Sequence, residues 1–181
     1  MSIIGHPFLI SLLVVWALES RRGSVTASRT VAVVAALFVF PLALVTWRQV
    51  RKGAWSTVDA SHLQERPLLF LIGAIGLGAM LVYFALDHTR TELMKGTAVV
   101  LVMIGVCAAV TPWLKVSLHM ATAGVAASLF LARGMPLGWL LVPMLPLLGW
   151  SRVALGRHRW SDVVAGLILG AGTGAIITFI R

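Results

Sequence analysis

The chain has 181 residues, of which 59% are hydrophobic and 12% are charged, and its mean hydropathy is +0.95. An ordinary soluble domain is about half apolar and about a quarter charged, so this composition points to an integral membrane protein. The formal net charge is +9, but the basic residues are scattered between apolar runs and form no basic helix or stripe. This distribution argues against nucleic acid as a partner and fits the cationic flanks of membrane helices.

Seven apolar segments follow one another along the chain. A membrane-spanning helix needs about 20 apolar residues, and the first and sixth segments are short enough to be partial spans or tilted re-entrant pieces. We predict helices because lipid offers no partners to an open backbone, and because the alternating pattern of barrel strands is absent. The expected fold is therefore an all-α polytopic bundle of six to seven transmembrane helices, forming a single domain over residues 1–181. The segments are 4–19, 30–47, 67–86, 96–112, 116–132, 137–150 and 162–180.

Three polar connections are predicted to open on the same side of the membrane. They are the 48–66 stretch, the 113–119 turn and the 151–162 stretch. Two apolar segments separate each from the next, and an even number of crossings returns the chain to the same face. Residues that are far apart in the sequence can then contribute to one site.

The last apolar segment contains three glycines at a spacing of four, Gly166, Gly170 and Gly174. This spacing places them on one face of a helix, where a neighbouring helix can approach closely. The pattern is compatible with a dimer interface or with packing inside the chain, and packing inside the chain is the favoured interpretation.

The last polar connection carries the most specific pattern. It reads Ser151-Arg152, five residues, His158, three residues, Asp162. If a helix begins here, His158 and Asp162 lie on one face, and the carboxylate can fix the imidazole tautomer so that the other ring nitrogen is free to attack. Arg152 offers a planar fork of donors that suits phosphate oxygens.

Two weaker elements support this pattern. At the predicted start of the fifth helix, Ser117 can donate to a phosphate oxygen and His119 can act as a general acid toward a leaving oxygen. Before the third helix, Arg66 precedes Pro67, which is a favoured residue at a helix start, and Asp59 lies seven residues earlier. Arg66 is a candidate third donor to phosphate.

Together these residues resemble the type 2 phosphatidic acid phosphatase superfamily, in which three motifs occur in this order. The third motif, Ser-Arg, five residues, His, three residues, Asp, is matched in full. The second, Pro-Ser-Gly-His, keeps Ser117 and His119 but has valine and leucine in place of proline and glycine. The first, a lysine followed by six residues and Arg-Pro, keeps Arg66 and Pro67 but has Asp59 at the lysine position.

The resemblance implies a two-step phosphoryl transfer without a metal or another cofactor. His158 would form a phosphohistidine, Asp162 would orient it, and His119 would protonate the leaving group. Arg66, Ser117 and Arg152 would bind the phosphate oxygens, while the role of Ser151 stays open. Because Asp59 cannot neutralise phosphate as a lysine would, we hypothesise that Lys115 supplies the missing cation.

The expected substrate is an amphiphile that enters from the membrane lipids, such as a phosphatidate, phosphatidylglycerophosphate, polyprenyl pyrophosphate or lipid A phosphate. The positive-inside rule compares the basic residues on the two faces of the membrane. Here the two faces carry eight and seven, so the rule does not choose an orientation. The resemblance therefore decides the expected location, which is the bacterial inner membrane with the site on the extracytoplasmic side. Alternatives are a lipid phosphotransferase, an inactive lipid-binding or transport member of the same fold, and a structural membrane protein.

Overall fold

The computed structural model describes residues 6–60, 62–87 and 90–180. Within these ranges the chain forms seven helices, joined by turns and by two short 3₁₀ segments, and contains no strand. The predicted all-α architecture is therefore confirmed, with the upper of the two expected helix numbers. The helices are α1 (Pro7–Glu19), α2 (Ser24–Arg51), α3 (Arg66–Leu86), α4 (Thr91–Val110), α5 (Leu118–Ala132), α6 (Pro136–Ala154) and α7 (Trp160–Phe179).

Five of these helices are long and apolar enough to cross a membrane, namely α2, α3 with its preceding 3₁₀ turn, α4, α6 and α7. The sixth segment is longer than its apolar run indicated, because α6 has 19 residues and continues through Pro143 and Pro146. Membrane helices tolerate internal proline when neighbouring groups satisfy the freed carbonyls. The 15-residue α5 is shorter than the five candidate spans.

The helices fall into two compact units, which are described separately. The first unit comprises Met1–Leu18 and Trp113–Arg181, and the second comprises Glu19–Pro112. The first therefore contains most of α1 together with α5, α6 and α7. The second contains α2, α3 and α4. The single domain predicted over residues 1–181 stays a prediction.

In the first unit, α5 and α7 pack with their backbones in contact. A Cβ atom at Gly124 of α5 would lie 2.9 Å from the Leu167 carbonyl oxygen, and one at Gly174 of α7 would lie 2.8 Å from that of Val125. A Cβ at Gly170 would overlap the Ala121 carbonyl. The glycines of the last helix thus serve packing inside the chain, as the favoured interpretation predicted.

A buried apolar cluster joins α1 to α5 in the same unit. Ile10 and Ala17 of α1 share it with Ala123, Ala126 and Phe130 of α5. Because α5 consists largely of small and apolar residues, it can be buried on several sides, and ten of its residues are buried. This burial fixes the helix from which the second motif projects.

In the second unit, α2 contains a π-helical turn before Pro41. The Phe40 N–H reaches the Ala35 carbonyl, five residues back. Proline has no N–H to donate to the carbonyl four residues earlier, which is that of Leu37. This carbonyl faces α3 at Gly76, where a Cβ would lie only 2.9 Å from its oxygen. Gly76 therefore permits the irregular part of α2 to pack against α3.

A group of charged side chains surrounds the buried Glu19 carboxylate in the second unit. Glu19 is 4% exposed, and its carboxylate forms an ion pair with Arg90, which also contacts the Thr30 hydroxyl. The Arg90 guanidinium donates to the Asp87 carboxylate at 2.9 Å. A buried charge requires such partners. Here the ion pair connects the end of α1, at Glu19, to the connection between α3 and α4, at Arg90.

Candidate active site

The beginning of α5 is held against the first turn of α7 by a backbone hydrogen bond. The Ser117 N–H donates to the Asp162 carbonyl at 3.0 Å, and the Ser117 carbonyl accepts the Ala121 N–H at 2.9 Å to start α5. Gly166, one turn along α7, permits this approach, since a Cβ there would lie 2.5 Å from the Ser117 carbonyl oxygen. The structure therefore places the second and third motifs in direct contact.

The third motif begins inside a helix. Ser151 and Arg152 belong to the last turn of α6, so the prediction that they start a polar connection was wrong. The helix ends in a Schellman motif, in which the Arg157 N–H donates to the Arg152 carbonyl at 3.2 Å and the Gly156 N–H to the Val153 carbonyl at 2.9 Å. This motif requires a left-handed residue, and Gly156 has φ +65°. The sharp turn brings the chain directly to His158.

The Ser151 hydroxyl is used within its own helix. It donates to the Leu148 carbonyl at 2.7 Å, and the residue is 9% exposed. A serine hydroxyl has a single hydrogen to donate, so in this arrangement Ser151 offers no donor to a ligand. Its contribution to the third motif is therefore structural.

His158 and Asp162 form the predicted pair, although by a different local geometry. Because α7 begins at Trp160, His158 lies just before the helix and not on its face. Its Nδ1 is 3.5 Å from Asp162 Oδ2, and both side chains are less than a tenth exposed. The same Oδ2 accepts the Arg159 N–H at 2.9 Å. Asp162 thus caps the helix and also faces the imidazole, at a distance longer than that of a usual hydrogen bond.

Ser117 and His119 are both buried at the start of α5. Ser117 is fully buried, and its hydroxyl has no hydrogen-bond partner among the residues that the structure describes. Buried polar groups are nearly always satisfied, and an exception calls for an explanation such as a ligand. His119 is 5% exposed and lies in the first turn of the helix, two residues later.

Arg152 is buried more completely than most apolar side chains of the molecule, with 1% exposed. A guanidinium keeps its charge at any physiological pH and presents five donors. A buried guanidinium is stable only where acceptors surround it. Its position at the end of α6, next to the turn that leads to His158, is suited to binding an anion.

Lys115 lies in the same unit and contacts the loop that carries His158. Its ammonium group donates to the Arg157 carbonyl at 2.7 Å. The contact connects the 113–117 turn to the residue preceding His158. Lys115 therefore has a structural role in positioning the loop, beside the phosphate-binding role predicted from the sequence.

Arg66 and Asp59 belong to the second unit, so their joining the other motif residues stays a prediction. Arg66 is the first residue of α3 and is 2% exposed, with its guanidinium carbon 6.0 Å from the Phe70 ring centroid. Asp59 is half-buried in the connection before α3. The carboxylate of Glu65, the residue just before Arg66, accepts the Ser56 N–H at 2.7 Å and the His62 N–H at 3.0 Å. The carboxylate thus holds this connection in place.

One histidine of the site region was not predicted from the sequence. His6 precedes α1, and its ring lies 5.4 Å from that of His119, centroid to centroid, at an interplanar angle of 79°. No spacing rule connects two residues that are more than a hundred positions apart. The only signal in the sequence is a polar residue at the edge of the first apolar segment.

The family comparison matches a part of the first unit. Residues 113–181 match the model of the PAP2 superfamily. Two curated relatives are named decaprenylphosphoryl-5-phosphoribose phosphatase, from Mycobacterium tuberculosis strains CDC 1551 / Oshkosh and ATCC 25618 / H37Rv. Each is 48% identical over 59 residues, a match that covers 32% of this chain and 32% of the relative.

No solved structure matches the chain. The matched segment contains seven of the nine residues that the sequence singled out, and it coincides with the part of the first unit that begins at Trp113. Over residues 113–181 the chain therefore has the signature of the PAP2 superfamily, as its resemblance to the type 2 phosphatidic acid phosphatases predicted.

Proposed function

We propose that this protein is a membrane phosphatase that removes phosphate from a phosphorylated lipid through a phosphohistidine on His158. The observation that carries the proposal is the pairing of His158 with Asp162 beside the buried Ser117 hydroxyl. A nucleophile, its orienting carboxylate and a donor without a partner of its own are what phosphoryl transfer by a histidine requires.

In the first step, Nε2 of His158 attacks phosphorus while the bond from phosphorus to the leaving oxygen breaks. Asp162 faces Nδ1 at 3.5 Å, so it keeps the proton on Nδ1 and stabilises the positive charge that develops on the ring. His119 donates its proton to the leaving oxygen. Fixed donors from Ser117 and Arg152, together with Arg66 and Lys115, stabilise the charge on the phosphoryl oxygens.

In the second step, water attacks the phosphohistidine and the bond between nitrogen and phosphorus breaks. His119, now neutral, accepts the proton that the water loses, and inorganic phosphate leaves. The residues alone perform both steps, so the proposed chemistry needs no metal. His119 is therefore neutral after the first step, ready to accept a proton, and protonated again after the second step, ready for the next substrate.

The substrate is proposed to be a phosphomonoester or diphosphate on a lipid. The curated relatives are named for a phosphate on a ribose joined to decaprenyl phosphate. This extends the predicted substrates to sugar phosphates carried by a polyprenyl lipid. The apolar helices fit such a substrate, because its tail remains in the bilayer while its phosphate meets the polar connections.

Release of inorganic phosphate from a panel of lipid phosphates by purified protein in detergent tests the proposal. We expect His158→Ala to lower the rate by at least about 10³-fold, and His62→Ala, at an exposed histidine of the second unit, to leave it unchanged. Radiolabelled substrate should leave an acid-labile, base-stable label on the wild-type chain and none on His158→Ala.

Three results would contradict the proposal. Equal phosphate release by wild type and His158→Ala would exclude His158 as nucleophile. Transfer of the label to a second lipid without phosphate release would identify a phosphotransferase. Lipid binding with neither release nor transfer would identify an inactive lipid-binding protein.

A further inference from the structure

The ring of His6 is held in a defined position by its own backbone and by a neighbouring ring. Its Nδ1 accepts the Phe8 N–H at 3.3 Å, and its ring centroid is 4.4 Å from that of Phe8. The first N–H groups of a helix need such acceptors, so His6 helps to start α1. With Nδ1 accepting, the neutral imidazole carries its proton on Nε2.

The packing of α1 fixes His6 relative to His119. Ile10 and Ala17 of α1 belong to the same buried cluster as Ala123, Ala126 and Phe130 of α5. His119 lies in the first turn of that same α5. The ring contact between His6 and His119 is therefore supported by two helices that share a core, and it does not depend on a flexible side chain alone.

His119 needs such support to act as a general acid. The second side-chain torsion of histidine is broad and roughly two-fold, so the orientation of its ring is decided by whatever packs against it. The ring of His6 meets it nearly at right angles, with centroids 5.4 Å apart, which is a favourable edge-to-face geometry for aromatic rings. A proton donor that is misplaced by about 1 Å can lose about 10²-fold in rate.

We propose that His6 is a positioning residue, which holds the His119 imidazole in the orientation from which it protonates the leaving oxygen. The inference rests on the proposed function, and it adds a residue from outside the three motifs to the site. His6 acts through its ring, and its contact with the Phe8 N–H serves to hold that ring.

Two substitutions separate the ring of His6 from its hydrogen bond. His6→Asn removes the ring but keeps a side-chain acceptor for the Phe8 N–H. His6→Phe keeps a ring of similar size but loses the acceptor. The first step of each variant is followed alone, as release of the alcohol or nitrophenol in a single turnover, because His119 also serves the second step. Two substrates that carry the same alkyl chain are compared, one a plain alkyl phosphate and the other a nitrophenyl phosphate.

The two substrates differ in their need for a general acid. An alkoxide is a poor leaving group and requires a proton, whereas a nitrophenolate leaves without one. We expect His6→Asn to lower the alkyl phosphate rate by about 10-fold to 10²-fold and to leave the nitrophenyl phosphate rate nearly unchanged. His119→Ala should show the same selectivity, and His6→Phe should retain most of both rates.

Equal losses on both substrates would overturn the inference, since they would indicate a general effect on folding or binding. Unchanged rates of His6→Asn on both substrates would overturn it as well, and so would a selective loss in His6→Phe that matches that of His6→Asn. Failure of the proposed function is recognised separately, because both substrates would then be hydrolysed independently of His158.

Discussion

The two units of the molecule use buried polar groups differently. In the second unit, the buried carboxylates of Glu19 and Glu65 are satisfied within the unit, Glu19 by Arg90 and Glu65 by two backbone N–H groups. In the first unit, the Ser117 hydroxyl has no partner among the described residues. A buried polar group without a partner calls for an explanation such as a ligand, so we infer that the Glu19 and Glu65 carboxylates stabilise the second unit and that the Ser117 hydroxyl is available to a ligand.

The units also differ in how their helices approach each other. In the first unit, α5 and α7 are in contact through their backbones at Gly124, Gly166 and Gly170. In the second unit, a comparable approach occurs at Gly76, which faces the π-helical turn of α2. Backbone contact restricts the relative movement of two helices more than contact between long side chains does. The close packing of α5 and α7 therefore provides the rigid base that a catalytic site needs.

The largest effect on stability should come from breaking the buried ion pair of the second unit. We expect Arg90→Leu to lower stability by about 3 kcal/mol, because the Glu19 carboxylate then stays buried without its main partner. Thermal unfolding in detergent measures the loss. The double variant Glu19→Leu with Arg90→Leu should recover much of it.

The same variant tests whether the Glu19–Arg90 pair only stabilises the fold. Folded Arg90→Leu protein should keep the wild-type kcat on a lipid phosphate. A fall in kcat with unchanged thermal stability would show that the Glu19–Arg90 pair takes part in the chemistry and does not only stabilise the fold.

Asp162→Asn should lower activity and leave stability nearly unchanged, which is the reverse of the result expected for Arg90→Leu. The amide oxygen still accepts the Arg159 N–H, so the cap of α7 is kept, but the negative charge beside His158 Nδ1 is lost. We expect kcat to fall by about 10²-fold, or about 2.7 kcal/mol, with little change in thermal stability. Asp162→Ala should lose both the activity and the helix cap. Retention of wild-type kcat in Asp162→Asn would show that Asp162 has only the capping role.

The smallest effect concerns Lys115, which contacts the His158 loop through the Arg157 carbonyl. We expect Lys115→Ala to lower kcat by about tenfold, or about 1.4 kcal/mol, because the loop loses one anchor and the phosphate loses a cation. The exposed Lys52 of the second unit provides the control, and Lys52→Ala should have the wild-type rate. Equal rates of the two variants would remove the hypothesis that Lys115 replaces the lysine absent from the first motif.

Several features could be predicted from the sequence because they depend on local spacing. The apolar segments located all seven helices, since a helix in lipid must satisfy its own backbone. The four-residue spacing of Gly166, Gly170 and Gly174 predicted a face for close packing, and the even number of helices between Ser117 and Asp162 predicted that their ends meet. The backbone hydrogen bond between these two residues is in agreement with that prediction.

Other features depend on where a helix ends, which hydropathy indicates poorly. The sequence did not reveal that α6 continues through two prolines to Ala154, so Ser151 and Arg152 were assigned to a connection. It also allowed His158 and Asp162 to share one face of a helix, whereas α7 begins two residues after His158. Hydrogen bonds at the helix termini, such as the Schellman motif at Gly156, decide these boundaries.

The sequence by itself determined the class of the protein and the residues of its third motif, because composition and short spacings carry that information directly. Only the tertiary structure decided that Ser151 uses its hydroxyl within its own helix, that Lys115 holds the His158 loop, and that His6 packs against His119. The last two contacts join residues that are distant in the chain. They exist because α1, α5, α6 and α7 pack around shared small and apolar residues, and no local pattern records which side chains such packing brings together.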